Sequence, residues 1–184
     1  MAKRTRNLAV AAMAAAVLGI PGLSAAADAI AVDVPSPGRH VRSSNLALVA
    51  LIQQAGERSA TFRGLVEAID ASDSIVFVEE GRCGHGVRAC FVSVTGTSRY
   101  RYMRVVVDTR KADWDLMGSI GHELRHTIEV IDAANVRNNA SKFFLYQQIG
   151  TLGTATARET QAAVEAGNSV RAEVRRSSVQ LRSE

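Results

Sequence analysis

Gly121-His122-Glu123-Leu124-Arg125-His126 lies inside a stretch, residues 112–134, whose reading as a helix decides the fold. At about 100° per residue, Met117, Ile120, Leu124, Ile128 and Ile131 share a narrow arc, and His122 and His126 fall on the opposite side. The spacing therefore predicts a helix that buries one stripe and presents two imidazoles to a cleft. Positions four apart stand about one turn apart, so both rings can reach a single ion. Glu123 projects close enough to take a proton from water at that ion. Imidazole ligands suit a borderline ion such as Zn²⁺. A lone histidine is more often a hydrogen-bonded residue than a ligand. Here two of the chain's four histidines share the required interval with a glutamate between them.

A catalytic zinc takes a third protein ligand and keeps a further position open. Glu129 shares the helix face with His122 but lies about 10 Å along the axis from it, which suits a supporting role behind a ligand or a place on the surface. Asp132 stands six residues after His126. Glu159 lies 33 residues after His126, near the start of an expected terminal helix, and is followed by small residues that allow helices to approach. A glutamate there is also what the dipole of a helix start favours. Glu165 is the fallback, and Glu159 is the third ligand on which this reading settles, with His122 and His126 as the other two and Glu123 as the catalytic base.

Outward from this helix, the alternating run Tyr100 to Asp108 reads as a strand, as do Ile75-Val76-Phe77-Val78 and the stretch 89–96. Short links between them favour antiparallel pairing, because parallel neighbours need a crossover of about a dozen residues or more. Helices are expected over 44–55, with Ser44 as cap and Gly56 as break, over 59–71, over 140–149 and over 155–182. The expected fold class is α+β: a small antiparallel sheet of about three strands packed with helices.

With 184 residues, 47% of them hydrophobic, the chain suits a single domain, expected over 43–184. Ahead of it, Lys3, Arg4 and Arg6 precede an apolar run from Leu8 to Ile20, and Ala25-Ala26-Ala27 offers a small-residue cleavage site. Residues 1–27 thus read as a secretory signal peptide and 28–42 as a flexible leader. The apolar run is shorter than the roughly 20 residues a bilayer span needs, so no stable membrane anchor is expected after cleavage. Cleavage removes three of the 22 basic residues and none of the 18 acidic ones, leaving 19 against 18. A balance that close to neutral gives no reason to expect a nucleic-acid partner. Export to a periplasmic or extracellular location makes a local disulfide the expected state of Cys83 and Cys90, over metal binding by that pair with His85.

The helix motif resembles that of the zincins, the metallopeptidase group defined by His-Glu-x-x-His, and the chain resembles small secreted bacterial proteins of that type. Those show a strand ending in an apolar-Asp turn and then a Gly-His-Glu-Leu-x-His helix, matched here by Val105-Val106-Val107-Asp108 and by Gly121 to His126. The likeness spans about 75–165, with specificity confined to the helix motif. It implies zinc on His122 and His126, Glu123 as general base, and a gluzincin-like third ligand at Glu159. A gluzincin glutamate is commonly followed four residues later by Asp, where this chain has Ala163. In the metzincin pattern Asp132 would take the third place, but Glu129 stands where that pattern has its turning glycine. The implied partner is a peptide or protein substrate, laid beside the sheet's edge strand, with Tyr100, Tyr102, Tyr146 or His85 as oxyanion stabiliser. The implied function is that of an exported zinc-dependent hydrolase, a peptidase. The alternative is a non-catalytic zinc-binding or partner-binding envelope protein that keeps the zincin shape.

Overall fold

The computed structural model describes residues 40–84, 86–152 and 158–180. The expected signal peptide at 1–27, leader residues 28–39 and His85 lie outside the described residues. In chain order the elements are β1 (Val41–Arg42), α1 (Leu46–Arg58), α2 (Ala60–Asp70), β2 (Ser74–Glu80), β3 (Ala89–Gly96) and β4 (Arg101–Val107). They continue as α3 (Trp114–Asp132), α4 (Asn139–Ile149), β5 (Thr151–Leu152), β6 (Arg158–Glu159) and α5 (Gln161–Gln180). The architecture is α+β, a small sheet packed with helices.

The main sheet has the order β1-β2-β4-β3 and is mixed. β3 and β4 form the expected antiparallel hairpin, but β4 inserts between β3 and β2 and runs parallel to β2, in register from Ser74↔Arg101 to Glu80↔Val107. The short-link argument for a wholly antiparallel sheet fails here because β3 itself belongs to the connection. Residues 81–100 together supply the length that a parallel crossover requires. A fourth strand, β1, comes from the expected leader. Val41 is fully buried and pairs with Val76, and His40 donates its N–H to Asp70 Oδ1, so the domain starts at least three residues earlier than 43.

Strand alternation sorts the two faces. Val76, Val78, Met103, Val105 and Val107 point into the core, while Phe77 and Tyr102 stack on the outer face. Burying a side chain such as Met103 or Val105 completely contributes about 1.5–3 kcal/mol. Arg101 shares the inward face with these apolar neighbours and is only 4% exposed. Its guanidinium donates to the carbonyls of Val130 and Ile131 at the end of α3, at 2.6 and 3.1 Å, and pairs with Asp73. Those carbonyls have no partner within the helix, so a buried cation satisfies a helix end whose acceptors otherwise lack donors.

The helix limits follow local capping. Asn45, one residue beyond the expected Ser44, accepts from the N–H groups of Ala47 and Leu48, and α1 runs through Gly56 to Arg58. Ser59 then caps α2 by accepting from Phe62 N. At the other end of the chain, β5 and β6 form a short antiparallel pair where a helical start had been expected, so α5 begins at Gln161. Among the described residues, no helix is long and apolar enough to cross a membrane.

α3 is the central element, with residues buried around most of its circumference, from Leu116 and Gly118 to Glu123, His126 and Val130. Its widest contact is with α5, and glycines set the distance. A Cβ at Gly118 would stand 2.2 Å from Arg171 Cγ and 2.9 Å from Gly167 O, and one at Gly121 would stand 2.8 Å from Val170 Cγ2. Gly118→Ala is expected to destabilise the fold. The alanine adds about 1 kcal/mol of helix propensity but meets backbone on α5, and overpacking of that kind costs about 1–3 kcal/mol. Gly56→Ala, with nothing within 4 Å of the new Cβ, is expected to stabilise by about 0.5–1 kcal/mol. Urea denaturation of both variants checks the pair, and equal shifts in the same direction would contradict the packing argument.

Candidate metal centre

α3 places His122 and His126 one turn apart, with ring centroids 4.8 Å from each other and planes nearly perpendicular. β6 brings Glu159 to them. Its Oε2 lies 2.8 Å from His122 Nε2 and 3.5 Å from His126 Nε2, and the three ligand atoms all fall within 4.8 Å of one another. Ligands about 2.0–2.1 Å from a tetrahedral ion stand about 3.3 Å apart, so these separations match a shared ion. The buried Oε2 also has no hydrogen bond of acceptable geometry despite two ring nitrogens nearby. That is how ligand atoms directed at a common third point look. The His122, His126 and Glu159 group could hold a metal ion.

Charge couples the three members of the cluster. The closeness of His122, and then of His126, holds the Glu159 carboxyl at about 2, against the effect of burial. Burial pulls His126 down, but Glu129, Glu159 and Glu123 outweigh it and raise the imidazole to about 9. Metal binding competes with the proton so retained.

Glu129 is buried behind His126, which makes it a support of that ring and not a surface residue, the two roles its distance had left open. Its Oε2 lies 2.8 Å from His126 Nδ1, and its Oε1 accepts from the Thr160 hydroxyl. With Nδ1–H donated to a carboxylate, His126 turns the Nε2 lone pair toward Glu159 and the ion position. Thr160 also accepts from Ala163 N at the start of α5, so one hydroxyl ties the helix start to the histidine's support. Tyr146 donates to the His126 carbonyl at 3.0 Å and sets its ring edge-on to the imidazole.

Glu123 is 8% exposed and accepts from Phe91 N–H at 2.8 Å. Burial pushes its carboxyl above the ordinary value, against the pull of His126 and His122. It lines the same cavity of about 450 Å³ as the three ligand residues. The histidine face of α3 thus borders a cavity, as expected, with Arg158 and Glu159 of β6 and Arg171 of α5 on its wall.

The other expected site residues separate clearly. Glu159 reaches the cluster from β6, immediately before α5, and not from within a second helix. Asp132 is the last residue of α3 and lies outside the cluster. Glu165 is exposed and accepts from Gln161 Nε2. Tyr102 stacks on Phe77 on the sheet's outer face, with Tyr100 beside it, and the Tyr146 hydroxyl is committed behind His126. Cys83 and Cys90 are disulfide-bonded, and Cys90 borders the cavity from β3. The sequence reading passed over Thr160, Phe91, Lys142 and Arg158. Only the Glu159-Thr160 adjacency before an apolar-small helix offered a local signal, as a helix cap.

The edge of β3 is partly closed by the chain itself. Lys142 Nζ donates to the carbonyls of Phe91 and Val92, Val94 N donates to Asn139 Oδ1, and Gly96 N donates to Arg137 O. An extended peptide added to this strand therefore has only its first residues, Ala89 and Cys90, beside it. No family model, curated protein or solved structure matches the chain.

The purified chain is expected to bind one divalent ion, with binding abolished in His122→Ala, His126→Ala and Glu159→Ala. Glu129→Gln should weaken affinity about 10–100-fold without abolishing it. Competition against a chromogenic chelator measures both. Unchanged affinity in Glu129→Gln would remove the orienting role assigned to that carboxylate.

Proposed function

We propose that this chain is an exported zinc-dependent peptidase of zincin type. The observation that carries the proposal is the convergence of two imidazole nitrogens and one carboxylate oxygen on one point, with the buried Glu123 in the same cavity. Two nitrogen donors and one oxygen donor form a three-ligand set that suits zinc and leaves a position open. Bound zinc would supply Lewis acidity that polarises a carbonyl oxygen and makes water a better acid.

The remaining chemistry belongs to the chain. Glu123 accepts a proton from the attacking water as the water oxygen bonds to the carbonyl carbon, and returns that proton to the amine nitrogen as the C–N bond breaks. The Phe91 N–H fixes the orientation of its carboxylate, and burial makes it a stronger base than an exposed glutamate. Glu129 and Thr160 hold His126 in one tautomer throughout. Support for a peptide substrate comes from the resemblance of the motif to the zincins. Support for export comes from the reading of residues 1–27 and from the Cys83–Cys90 disulfide, which suits an oxidising compartment.

The closed edge of β3 favours a second reading, a zinc-binding envelope protein that does not turn over peptides. The two part on Glu123→Gln. In the peptidase, this variant should retain zinc and lose about 10²–10⁴-fold in kcat/KM against a mixed peptide library. Equal cleavage by both proteins would eliminate the mechanism. Zinc-dependent thermal stabilisation with no cleavage by either protein would establish the second reading instead.

A further inference from the structure

The cavity around His122, His126 and Glu159 carries more cationic groups than the chemistry above uses. Arg88, Lys142, Arg158 and Arg171 line it, together with the carboxylates of Asp115, Glu123 and Glu159. Two of the cations are matched. Arg88 and Arg171 both pair with Asp115, at 3.2 and 2.8 Å, and Arg88 also pairs with Asp113. Glu159 lies beside His122 and His126, and a divalent ion there would match the charges of Glu159 and Glu123.

Lys142 and Arg158 differ from the other pair. Among the described residues, neither has a carboxylate within ion-pair distance. Lys142 Nζ donates to the carbonyls of Phe91 and Val92, at 3.1 and 2.8 Å, and stands 4.5 Å above the Phe91 ring. Arg158 donates to the Gly150 carbonyl at 3.2 Å. Carbonyls and a ring face compensate part of the lost hydration of a partly buried cation, but they are not a carboxylate in direct contact with it. An ammonium has three N–H donors, and two of these meet the carbonyls. Burial also lowers Lys142 to about 8, against the more distant pull of the Glu123 carboxylate. Position adds to charge, because Lys142 closes the β3 edge at Phe91, the residue whose N–H orients Glu123. A ligand beside Ala89 and Cys90 therefore meets the ammonium where it leaves the strand.

We propose that Lys142, with Arg158 on the wall of the same cavity, forms a carboxylate subsite, so that the substrates are peptides carrying a carboxylate next to the scissile bond. The proposal rests on the peptidase reading. The carboxylate has two possible sources, the free C-terminus of the peptide or an Asp or Glu side chain.

Three peptides of one sequence test it: one with a free C-terminal carboxylate, one amidated, and one amidated with Asp introduced beside the scissile bond. The wild-type chain should favour a carboxylate-bearing peptide over the plain amide by about tenfold in kcat/KM. The peptide that gains identifies the source. Lys142→Met should reduce this preference to about one, and Lys142→Arg should restore part of it. If Lys142 only clamps β3, Lys142→Met would slow all three peptides equally, and the proposal falls. A binding readout runs beside the kinetics: glutarate titrated into the purified chain, followed by the backbone amide NMR signals of β3. Saturable shifts in wild type, with no saturable binding in Lys142→Met, support the subsite even where no peptide is cleaved, in which case only the peptidase reading falls. Cleavage without carboxylate preference overturns the subsite and leaves the peptidase reading in place, and absence of glutarate binding also overturns the subsite.

Discussion

The contact between α3 and α5 at Gly118, Gly121 and Gly167 determines where the rest of the site sits. Helices that meet through glycines approach more closely than side chains allow, and here the Gly167 carbonyl oxygen on α5 lies 2.9 Å from where a Cβ at Gly118 would be. The approach brings the start of α5, and with it Glu159 and Thr160, against the histidine face of α3. It also encloses α3 on nearly every side, so the ends of that helix cannot rely on water. Asp113 accepts from Leu116 N at one end while held by Arg88, and Arg101 satisfies the carbonyls at the other.

A helix buried in this way must account for each of its polar groups. Arg101 has Asp73 and three carbonyls, Glu123 has the Phe91 N–H, Glu129 has His126 and Thr160, and Thr127 donates to the Leu124 carbonyl. Buried charges destabilise unless paired, which is why each sits in a set of named partners. Glu159 Oε2 breaks the pattern beside two ring nitrogens. In a structure that satisfies its other buried groups so fully, that orphan is better explained as a ligand atom than as a packing fault.

How much of this was legible in the sequence follows from how local each signal is. The stripe of α3, the alternation of β4 and the His122, Glu123 and His126 set are local patterns, and all appear at the expected positions. Strand order is not local. Whether β3 or β4 neighbours β2 depends on which strand buries better between two others, and Met103, Val105 and Val107 make β4 the inner one. β1 was missed because two residues carry no period. Glu159 was found as a residue but assigned to the wrong element, since the chain before Gln161 reads as helical until the β5–β6 pairing is known. Lys142 and Arg158 carry no motif. Their meaning comes only from the carbonyls they meet and the cavity they share.

The two imidazoles are fixed by different physics. His126 is held by polar contacts, with Glu129 on Nδ1 and Tyr146 on its carbonyl. His122 is held by space: a Cβ at Gly167 would stand 3.1 Å from His122 Cβ, so α5 can lie against that side chain only because residue 167 has none. Steric confinement fixes a ring by contact alone, whereas a carboxylate on Nδ1 both orients the ring and makes it a stronger donor. His126 is therefore the ligand whose strength Glu129 and Thr160 tune, and His122 the one whose position depends on the helix contact. The same glycine-lined approach that assembles the fold thus positions one ligand directly and, through Thr160 at the start of α5, supports the other.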